Sequence, residues 1–392
     1  MIRKGKIVIL LLIISALCAG CWDRREINDI ALLMASSLDV EKDGRFRGAV
    51  QIVIPARQIG NTAQEARPYF VESGTGLNVQ QMVQEEQSKL SRRLFISHRR
   101  VLFIGEKLAR RGLKDILDHW GRNPATRLRT FVVVVKGAEG EDAINTDYPL
   151  EFVPSEAVRE MQILVGGTAV TMRDLLNDAS AEGVEPVMGA IELVSYSGAK
   201  GKGRIERTFK LSGTAIFKDL KLRGYLNNRD SQYMLWVKGK LEQGTITAVL
   251  PEQKSRVSVD IDKAQRMIEP SVERGRVKIA IHLRGEGTVE ENNSRLDFSI
   301  PENLRLAENA LERTIREQTR KMIEDVQKKY EADIFGFGEE LHKKDNKAWR
   351  RLKKDWDKKF AEARISVDAD FALKRAGMSG PPLQLKEREV MK

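Results

Sequence analysis

Histidine and cysteine are the side chains that most often act as bases, nucleophiles and metal ligands, and this chain has four of the first and two of the second. They are His98, His119, His282, His342, Cys18 and Cys21. No His-Glu-x-x-His pair, Gly-x-Ser-x-Gly turn or phosphate-binding Gly-x-x-x-x-Gly-Lys loop occurs among the 392 residues. The sequence therefore predicts no enzyme, no cofactor and no metal site.

Cys21 follows a segment with the layout of an export signal. Three basic residues precede an apolar run from Ile7 to Leu17, which is shorter than the roughly 20 residues that a transmembrane helix needs. The small pair Ala19-Gly20 directly before Cys21 resembles a bacterial lipobox, although Cys18 stands where leucine is usual. The sequence thus predicts a lipoprotein, with diacylglycerol on the Cys21 sulfur and palmitoyl on the new amino terminus. A plain secretion signal and an uncleaved anchor are the alternatives.

The composition of the chain is that of a globular protein, with 41% hydrophobic and 31% charged residues. The net charge of +11 suits an anionic lipid surface, and nucleic acid is the other common partner of basic proteins. Export argues against nucleic acid, so we expect no such partner. Loss of Cys18 with the leader and acylation of Cys21 would leave no disulfide, so stability is expected from packing alone.

The chain beyond the leader is longer than the segment that one hydrophobic core can organise, so its length predicts two or three domains. A Gly/Lys-rich linker at Ser195–Gly203 supplies one boundary. We expect a signal peptide, an N-terminal α/β-type domain, a middle β-rich domain, a C-terminal α+β domain and a flexible tail. Their predicted ranges are 1–20, 21–197, 204–270, 271–377 and 378–392.

Strands and helices alternate in the first half. The predicted elements are strands at 30–40, 46–54, 94–104 and 130–135 and helices at 77–91 and 106–120, with a turn at 73–76. The turn that opens at Asp39 superficially matches a calcium loop, but its twelfth position is Val50 where a glutamate is required, so a plain hairpin is preferred. This alternation predicts a mixed α/β layer domain.

The second half begins with a run of predicted strands, at 211–217, 222–226, 233–237, 245–250 and 256–261. Apolar residues then alternate from Val277 to Leu283, which indicates a sheet with one buried face. Apolar residues at helical spacing from Pro301 to Tyr330 predict one long amphipathic helix, and Ile365–Leu373 a final strand. The fold class is therefore α+β and multidomain, with mixed sheets, packed helices, and a C-terminal domain in which the long helix lies against an antiparallel sheet.

The segment Lys343–Lys359 holds nine basic residues against three aspartates, together with Trp349 and Trp356. Trp349, Trp356, Lys353 and Lys354 are candidate contacts to an anionic membrane or a partner protein. The alternative is that both indoles pack into the core while the lysines are solvated. Just before this segment, glycines on both sides of Phe337 predict a tight connection between helices.

Several stretches resemble the Ger(x)C family of spore germination lipoproteins, the C subunits of nutrient germinant receptors. The resemblance covers the chain from Cys21 to about Gly377, and Cys18 and the tail depart from it. The matching motifs are Gly20–Asp29, Val50–Pro55, Ser97–Glu106, Leu211–Lys218, Leu222–Leu226 and Ala332–Glu339 with Trp349 and Trp356 behind it.

This resemblance implies a lipid-anchored subunit at the outer face of the spore inner membrane, in a receptor with membrane subunits A and B. The A subunit of the family is a membrane protein with soluble parts, and the B subunit resembles an amino-acid transporter. The alternative function is that of a solute-binding lipoprotein that delivers a small ligand to a transporter. Proteins of that class usually have two similar lobes with a hinge, whereas the two halves of this sequence differ in character.

Overall fold

The computed structural model describes Gly5 and residues 26–54, 68–196, 207–250, 255–375, 381–386 and 389–391. The predicted leader, Cys21 and most of the predicted linker lie outside these ranges. Within them, thirteen strands form two sheets of nine and four strands, and helices cover both. The multidomain, mixed architecture that the sequence predicts is confirmed.

The larger sheet combines parallel strands at its centre with antiparallel strands at both edges. Its order is β3-β2-β1-β5-β6-β7-β8-β9, with the short β4 beside β1, and β1, β5, β6 and β7 are parallel to one another. The strands are β1 (Ile30–Val40), β2 (Phe46–Val53), β3 (Tyr69–Gly76), β4 (Arg93–Phe95), β5 (Val101–Gly105), β6 (Phe131–Val135), β7 (Val187–Ser195), β8 (Arg207–Lys218) and β9 (Lys221–Leu226). Val132 to Val135 in β6 are completely buried, as an unbroken valine run predicts for a central strand.

Helices cover both faces of this sheet because neighbouring residues of a strand point to opposite sides. The helices are α1 (Val79–Ser88), α2 (Glu106–Arg111), α3 (Lys114–Arg122), α4 (Gly140–Ile144), α5 (Pro154–Leu164) and α6 (Met172–Ser180). Phe103 of β5 packs in the cluster that contains α4 and α5, whereas Leu102 and Ile104 pack in the cluster that contains α1, α2, α3 and α6. The first half is therefore a three-layer α/β/α arrangement.

The smaller sheet lies in the second half and packs on the long helix. Its order is β10 (Thr245–Leu250), β11 (Ser255–Glu273), β12 (Arg276–Asn292) and β13 (Arg364–Arg375). The helices of this half are α7 (Asn228–Lys238), α8 (Pro301–Tyr330), α9 (Phe337–Lys344), α10 (Asn346–Leu352) and α11 (Trp356–Ala361). Helix α8 contacts β10 and β13 and buries Ala307, Leu311 and Ile315, which confirms the predicted amphipathic helix.

The predicted antiparallel pairing holds for β10, β11 and β12, but β13 is parallel to β12. Parallel neighbours need a long crossover, and the chain between them forms α8 to α11. The two halves share one continuous hydrophobic cluster, which includes Phe217 of β8, Trp236 of α7 and Phe371 of β13. The stretch predicted as a middle domain, 204–270, contributes β8 and β9 to the larger sheet and β10 and β11 to the smaller one.

Four local predictions were wrong. The predicted strand at 233–237 is helix α7, whose run from Tyr233 to Val237 is buried on all sides and therefore lacks a helical period. The predicted strand at 94–104 is interrupted by a 3-10 turn at 96–98, and the predicted helix at 106–120 breaks at Gly112, where φ is +119°. The predicted turn at 73–76 is the end of β3.

Candidate functional site

The chain turns sharply between α8 and α9 around the side chain of Asp333. Its Oδ1 accepts hydrogen bonds from the backbone N–H groups of Phe335, Gly336 and Phe337 at 3.1, 3.0 and 3.2 Å, and its Oδ2 accepts one from Gly338 at 2.8 Å. Gly336 has a φ of +81°, a conformation that glycine adopts without strain. One carboxylate thus satisfies the amide groups at the start of α9, which would otherwise be buried without partners.

Asp333 is buried, and a fifth donor reaches it from α11. Nε1 of Trp356 donates to Oδ2 of Asp333 at 3.0 Å. Burial raises the pKa of Asp333 to about 6, and the backbone and indole N–H groups oppose that rise because they favour the charged carboxylate. With five N–H groups directed at its oxygens, Asp333 is held as a carboxylate at neutral pH.

Lys238, at the end of α7, places a positive charge close to this turn. Its Nζ donates to the carbonyl oxygen of Ile334 at 2.8 Å and lies 3.4 Å from Oδ2 of Asp178. Burial lowers the pKa of Lys238, and the charge of Asp178 opposes this shift. The turn is therefore held by charged groups from α6, α7 and the α8–α9 connection.

The same turn joins the two halves of the protein through backbone contacts. The N–H of Glu185 donates to the carbonyl oxygen of Asp333 at 2.7 Å. Gly183 and Gly338 approach so closely that a Cβ atom on Gly183 would lie 2.7 Å from the carbonyl carbon of Gly338. Glu185 and Gly183 follow α6, and their partners Asp333 and Gly338 belong to the α8–α9 connection. We name this contact the Asp333 junction, and it consists of residues 182–185 and 333–338.

The predicted contact residues Trp349, Trp356, Lys353 and Lys354 all lie beside the Asp333 junction. Trp349 and Trp356 are 1% and 5% exposed, and their rings meet edge to face with centroids 5.2 Å apart. Both indoles are therefore buried in the interior, which is the arrangement that the alternative interpretation expected. The contact hypothesis is left with Lys353 and Lys354, which are exposed.

Glu182 links two of these residues to the first half. Its Oε2 accepts a hydrogen bond from Nε1 of Trp349 at 3.1 Å, and its Oε1 accepts one from Nζ of Lys353 at 2.8 Å. These donors lower the pKa of Glu182. A shallow cavity of about 330 Å³ lies here, between the loop after α6 and the helices that carry Trp349 and Trp356.

The histidines are not brought together by the fold. His98 is in the 3-10 turn at 96–98, His119 is on α3, His282 is on β12 and His342 stacks on Trp349 with ring centroids 5.8 Å apart. Among the described residues, no group of three or more His, Cys, Asp or Glu side chains is placed to hold a metal ion.

All the hydrogen-bond donors around Asp333 are groups of this chain, so its carboxylate has a structural role. The Asp333 junction can therefore fix the two halves relative to each other. Sequence reasoning identified the glycines beside Phe337 but missed the carboxylate that they surround, as well as Glu182 and Lys238. An aspartate three residues before a glycine in a buried turn was the available signal for Asp333. No local signal pointed to the other two, which come from distant parts of the chain.

A second surface combines exposed apolar side chains with arginines. Leu150 and Phe152, in the loop before α5, are 80% and 84% exposed, and Leu128 before β6 is also exposed. The loop is tied to the end of the larger sheet where β1 begins, because Asp147 accepts a hydrogen bond from the hydroxyl of Tyr69 at 3.0 Å. We name this surface the β1 edge, consisting of Leu128, Leu150, Phe152 and the neighbouring Arg100, Arg127, Arg129 and Arg159.

The arginines of the β1 edge are close enough to affect one another. Burial lowers the pKa of Arg127, and the positive charges of Arg100, Arg129 and Arg159 lower it further. The nearby carboxylate of Glu156 lies 3.9 Å from Nε of Arg100 and bonds to Arg159 at 3.0 Å. Arg159 also pairs with Glu160, so the four arginines outnumber the two carboxylates that pair with them and leave a positive charge.

Two family models match this chain in succession. The model described as "Spore germination protein N-terminal domain" matches residues 23–193, and the one described as "Spore germination B3/ GerAC like, C-terminal" matches residues 212–377. The chain belongs to the GerAC-like family of spore germination proteins. The second match includes the whole α8–α9 connection and both buried tryptophans.

Relatives of the chain are similar over nearly their whole length. Putative spore germination protein YfkR of Bacillus subtilis (strain 168) is 29% identical over 375 residues, which cover 94% of this chain and 96% of that protein. Spore germination protein KC of the same organism is 26% identical over 405 residues, which cover 98% of both. Family membership thus confirms the resemblance drawn from the sequence motifs.

The crystal structure of the GerBC protein has the same fold, with a TM-score of 0.58 and 17% sequence identity over 86% of this chain and 96% of that chain. Among the described residues of this GerAC-like protein, we find no helix that combines the length and the apolar character needed to cross a membrane.

Proposed function

We propose that this protein is the lipid-anchored C subunit of a spore nutrient germinant receptor. It is attached through Cys21 at the outer face of the spore inner membrane and acts by contacts with membrane subunits A and B, without catalysis. The observation that carries the proposal is the match to spore germination proteins over the whole body of the chain. The N-terminal family model starts at residue 23, two positions after Cys21.

The β1 edge supports a defined orientation on an anionic bilayer. Ile30, the first residue of β1, is nine residues from Cys21, so the lipid must lie within about 30 Å of this end of the sheet. Phe152 and Leu150 supply apolar side chains for the headgroup region. Arg127 and Arg129, which have no ion pair among the described residues, complement anionic lipids at about 1 kcal/mol each. The bilayer is therefore the occupant that we assign to this surface.

Attachment also explains how modest protein interfaces could suffice. A subunit confined to a membrane surface is presented to its partners at a high effective concentration, so weak contacts give a stable assembly. The rigid Asp333 junction would then move the second half of the body together with the anchored first half. The two sheets differ in strand number and order, which favours this function over a solute-binding protein with two similar lobes.

Replacement of the lipidation site tests the anchor. In Cys21→Ala we expect loss of incorporated palmitate, release of the protein from spore membranes and a weaker germination response, while the purified body keeps its melting temperature. Cys18→Ala is the matched control and should behave as the unmodified protein. Membrane retention and full germination of Cys21→Ala would overturn the proposal.

Affinity purification tests the partners. A tagged chain solubilised from spore membranes in mild detergent should retain subunits A and B in defined stoichiometry. Recovery of the tagged chain without either subunit, under conditions that preserve an A–B contact, would contradict the receptor assignment.

A further inference from the structure

Two side chains of opposite charge are buried in the first half without contacting each other. Glu86 of α1 is 1% exposed and Arg99, directly before β5, is 8% exposed. Nη1 of Arg99 donates to Oγ of Ser36 at 3.1 Å, but Nε of Arg99 and Oε1 of Glu86 have no hydrogen-bond partner among the described residues. Burying a guanidinium without a paired anion lowers the stability of the folded state, so a bound hydrogen-bond acceptor at this position would be stabilising.

Both groups line a small cavity that continues into a larger groove. The cavity has a volume of about 40 Å³, and the groove between α1 and α3 has a volume of about 900 Å³. The residues common to both are Val79, Val83, Leu94, Ile96, His119 and Asn123. The walls of the passage are thus mainly apolar, and Glu86 and Arg99 are the two side chains of the inner cavity that can carry opposite charges. A cavity of this size can hold a few waters or one small head group.

The charges at the inner end favour an anion. Burial raises the pKa of Glu86 to about 8, and the charges of Arg99 and Lys89 offset only part of that rise. Burial also lowers the pKa of His119, and the charge of Arg99 lowers it further. At pH 7 the groups that face the cavity are therefore a neutral Glu86, a neutral His119 and a charged Arg99, since burial lowers the pKa of Arg99 only to about 10.

We propose that the cavity and groove bind a small monocarboxylate with an apolar body. Its carboxylate accepts hydrogen bonds from Nε of Arg99 and from the protonated carboxyl group of Glu86, and its hydrocarbon part lies against Val79, Val83 and Leu94. The chemistry required is one negative charge at the head and an unbranched or small apolar tail, because the cavity beside Arg99 has a volume of only about 40 Å³. This site is independent of the proposed function, which requires only the anchor and protein partners.

Calorimetric titration of the full-length protein in lipid nanodiscs tests the site, with empty nanodiscs subtracted. The probes are hexanoate, uncharged hexanamide and hexylammonium at pH 7. We expect hexanoate to bind at least tenfold more tightly than hexanamide, and hexylammonium to give no saturable heat. Equal binding of hexanoate and hexanamide, or no binding of hexanoate, would mean that the cavity holds water only and would overturn the proposal.

Three variants locate the binding. Arg99→Met should reduce hexanoate affinity at least tenfold, whereas Arg223→Met, at an exposed position on β9, should not change it. Val83→Phe narrows the passage without altering either charged group and should also abolish binding, so it decides the question if Arg99→Met fails to fold. Unchanged hexanoate binding in Val83→Phe rules the site out.

The pH profile supplies a separate readout. Hexanoate affinity should be constant from pH 6 to about 7.5 and fall above pH 8, where Glu86 loses the proton that it donates. In Glu86→Gln, whose amide keeps a donor at all pH values, this decrease should disappear. A decrease of the same size in Glu86→Gln would contradict a role for Glu86 in binding.

Discussion

Trp356 and Asp333 are 23 residues apart in the sequence, and the indole Nε1 of Trp356 donates a 3.0 Å hydrogen bond to Oδ2 of Asp333. The same carboxylate accepts four backbone hydrogen bonds at the start of α9. One side chain therefore connects the turn after α8, the start of α9 and the start of α11. These are the elements that hold the second half against residues 182–185 of the first.

Substitution of Asp333 should be strongly destabilising. Asp333→Ala leaves five buried N–H groups without an acceptor, so we expect a loss of at least about 3 kcal/mol in the free energy of unfolding. Urea denaturation monitored by tryptophan fluorescence measures it. Asp345→Ala, which removes only the exposed N-cap acceptor of Ala348, should cost about 1 kcal/mol. Equal losses in the two variants would refute the role assigned to Asp333.

The close approach of Gly183 and Gly338 predicts that a larger residue at position 183 destabilises the protein. Gly183→Ala adds a Cβ only 2.7 Å from the carbonyl carbon of Gly338, at a φ of +81°, and should destabilise the protein by about 3 kcal/mol or more. Gly137→Ala is the matched control, because φ is +75° there and no atom lies within 4 Å of the added Cβ. We expect about 1 kcal/mol for the control, from the backbone conformation alone. A similar shift of melting temperature in both would show that the junction tolerates the methyl group.

Glu86 should make stability depend on pH between about 5 and 8. Its pKa is near 4.5 when unfolded and about 8 when folded, so the folded state binds more protons in this window and the free energy of unfolding falls as the pH rises. The slope from this group is at most about 1.4 kcal/mol per pH unit. Asp39 and Glu185, whose pKa values burial raises to about 6 and about 7, add slopes of the same sign.

Glu86→Gln isolates the contribution of that carboxyl group. The variant should be more stable than the unmodified protein at pH 8 and similar to it at pH 5, as measured by thermal melts across the range. Glu185→Gln serves as the comparison, and its gain should be complete by about pH 7. A Glu86→Gln curve parallel to that of the unmodified protein would contradict the raised pKa.

The orientation at the membrane can be measured with a spin label. Under the proposed lipidation, acylation of Cys21 and removal of Cys18 would leave no native thiol, so Phe152→Cys could be labelled with a nitroxide in the lipidated protein on anionic vesicles. We expect that label to collide more with oxygen dissolved in the bilayer than with a nickel chelate in water. Met267→Cys, on the exposed face of β11, should give the opposite order. The same accessibility at both positions would argue against the β1 edge as the membrane surface.

Periodic segments of the fold were predictable from the sequence, as was the buried valine strand β6, but a helix buried on all sides was not. The 3.6-residue spacing from Pro301 to Tyr330 predicted α8, and alternation from Val277 to Leu283 predicted the buried face of β12. Helix α7 was missed because Tyr233 to Val237 present apolar groups to both halves. Residues 73–76, the end of β3, were predicted as a turn because they include Gly74 and Gly76. In the structure these glycines lie in the strand and make room for the backbone of α1.

The candidate site was only partly predictable for a related reason. Lys238 donates to the carbonyl oxygen of Ile334, 96 positions away, and Glu182 bonds to a residue 167 positions away. Such pairs leave no local pattern. Trp349 and Trp356 were predicted as contact residues because of the basic segment around them, whereas both rings are buried in the interior.

The contact of Gly183 with Gly338 sets a condition on how shape can change in this protein. The two main chains are in direct contact there, with no side chain between them. No substitution can therefore adjust their separation by changing the size of an intervening side chain. A larger residue at either glycine would force these main chains apart. We therefore expect that a rotation or displacement of the first half moves the second half with it as one rigid body.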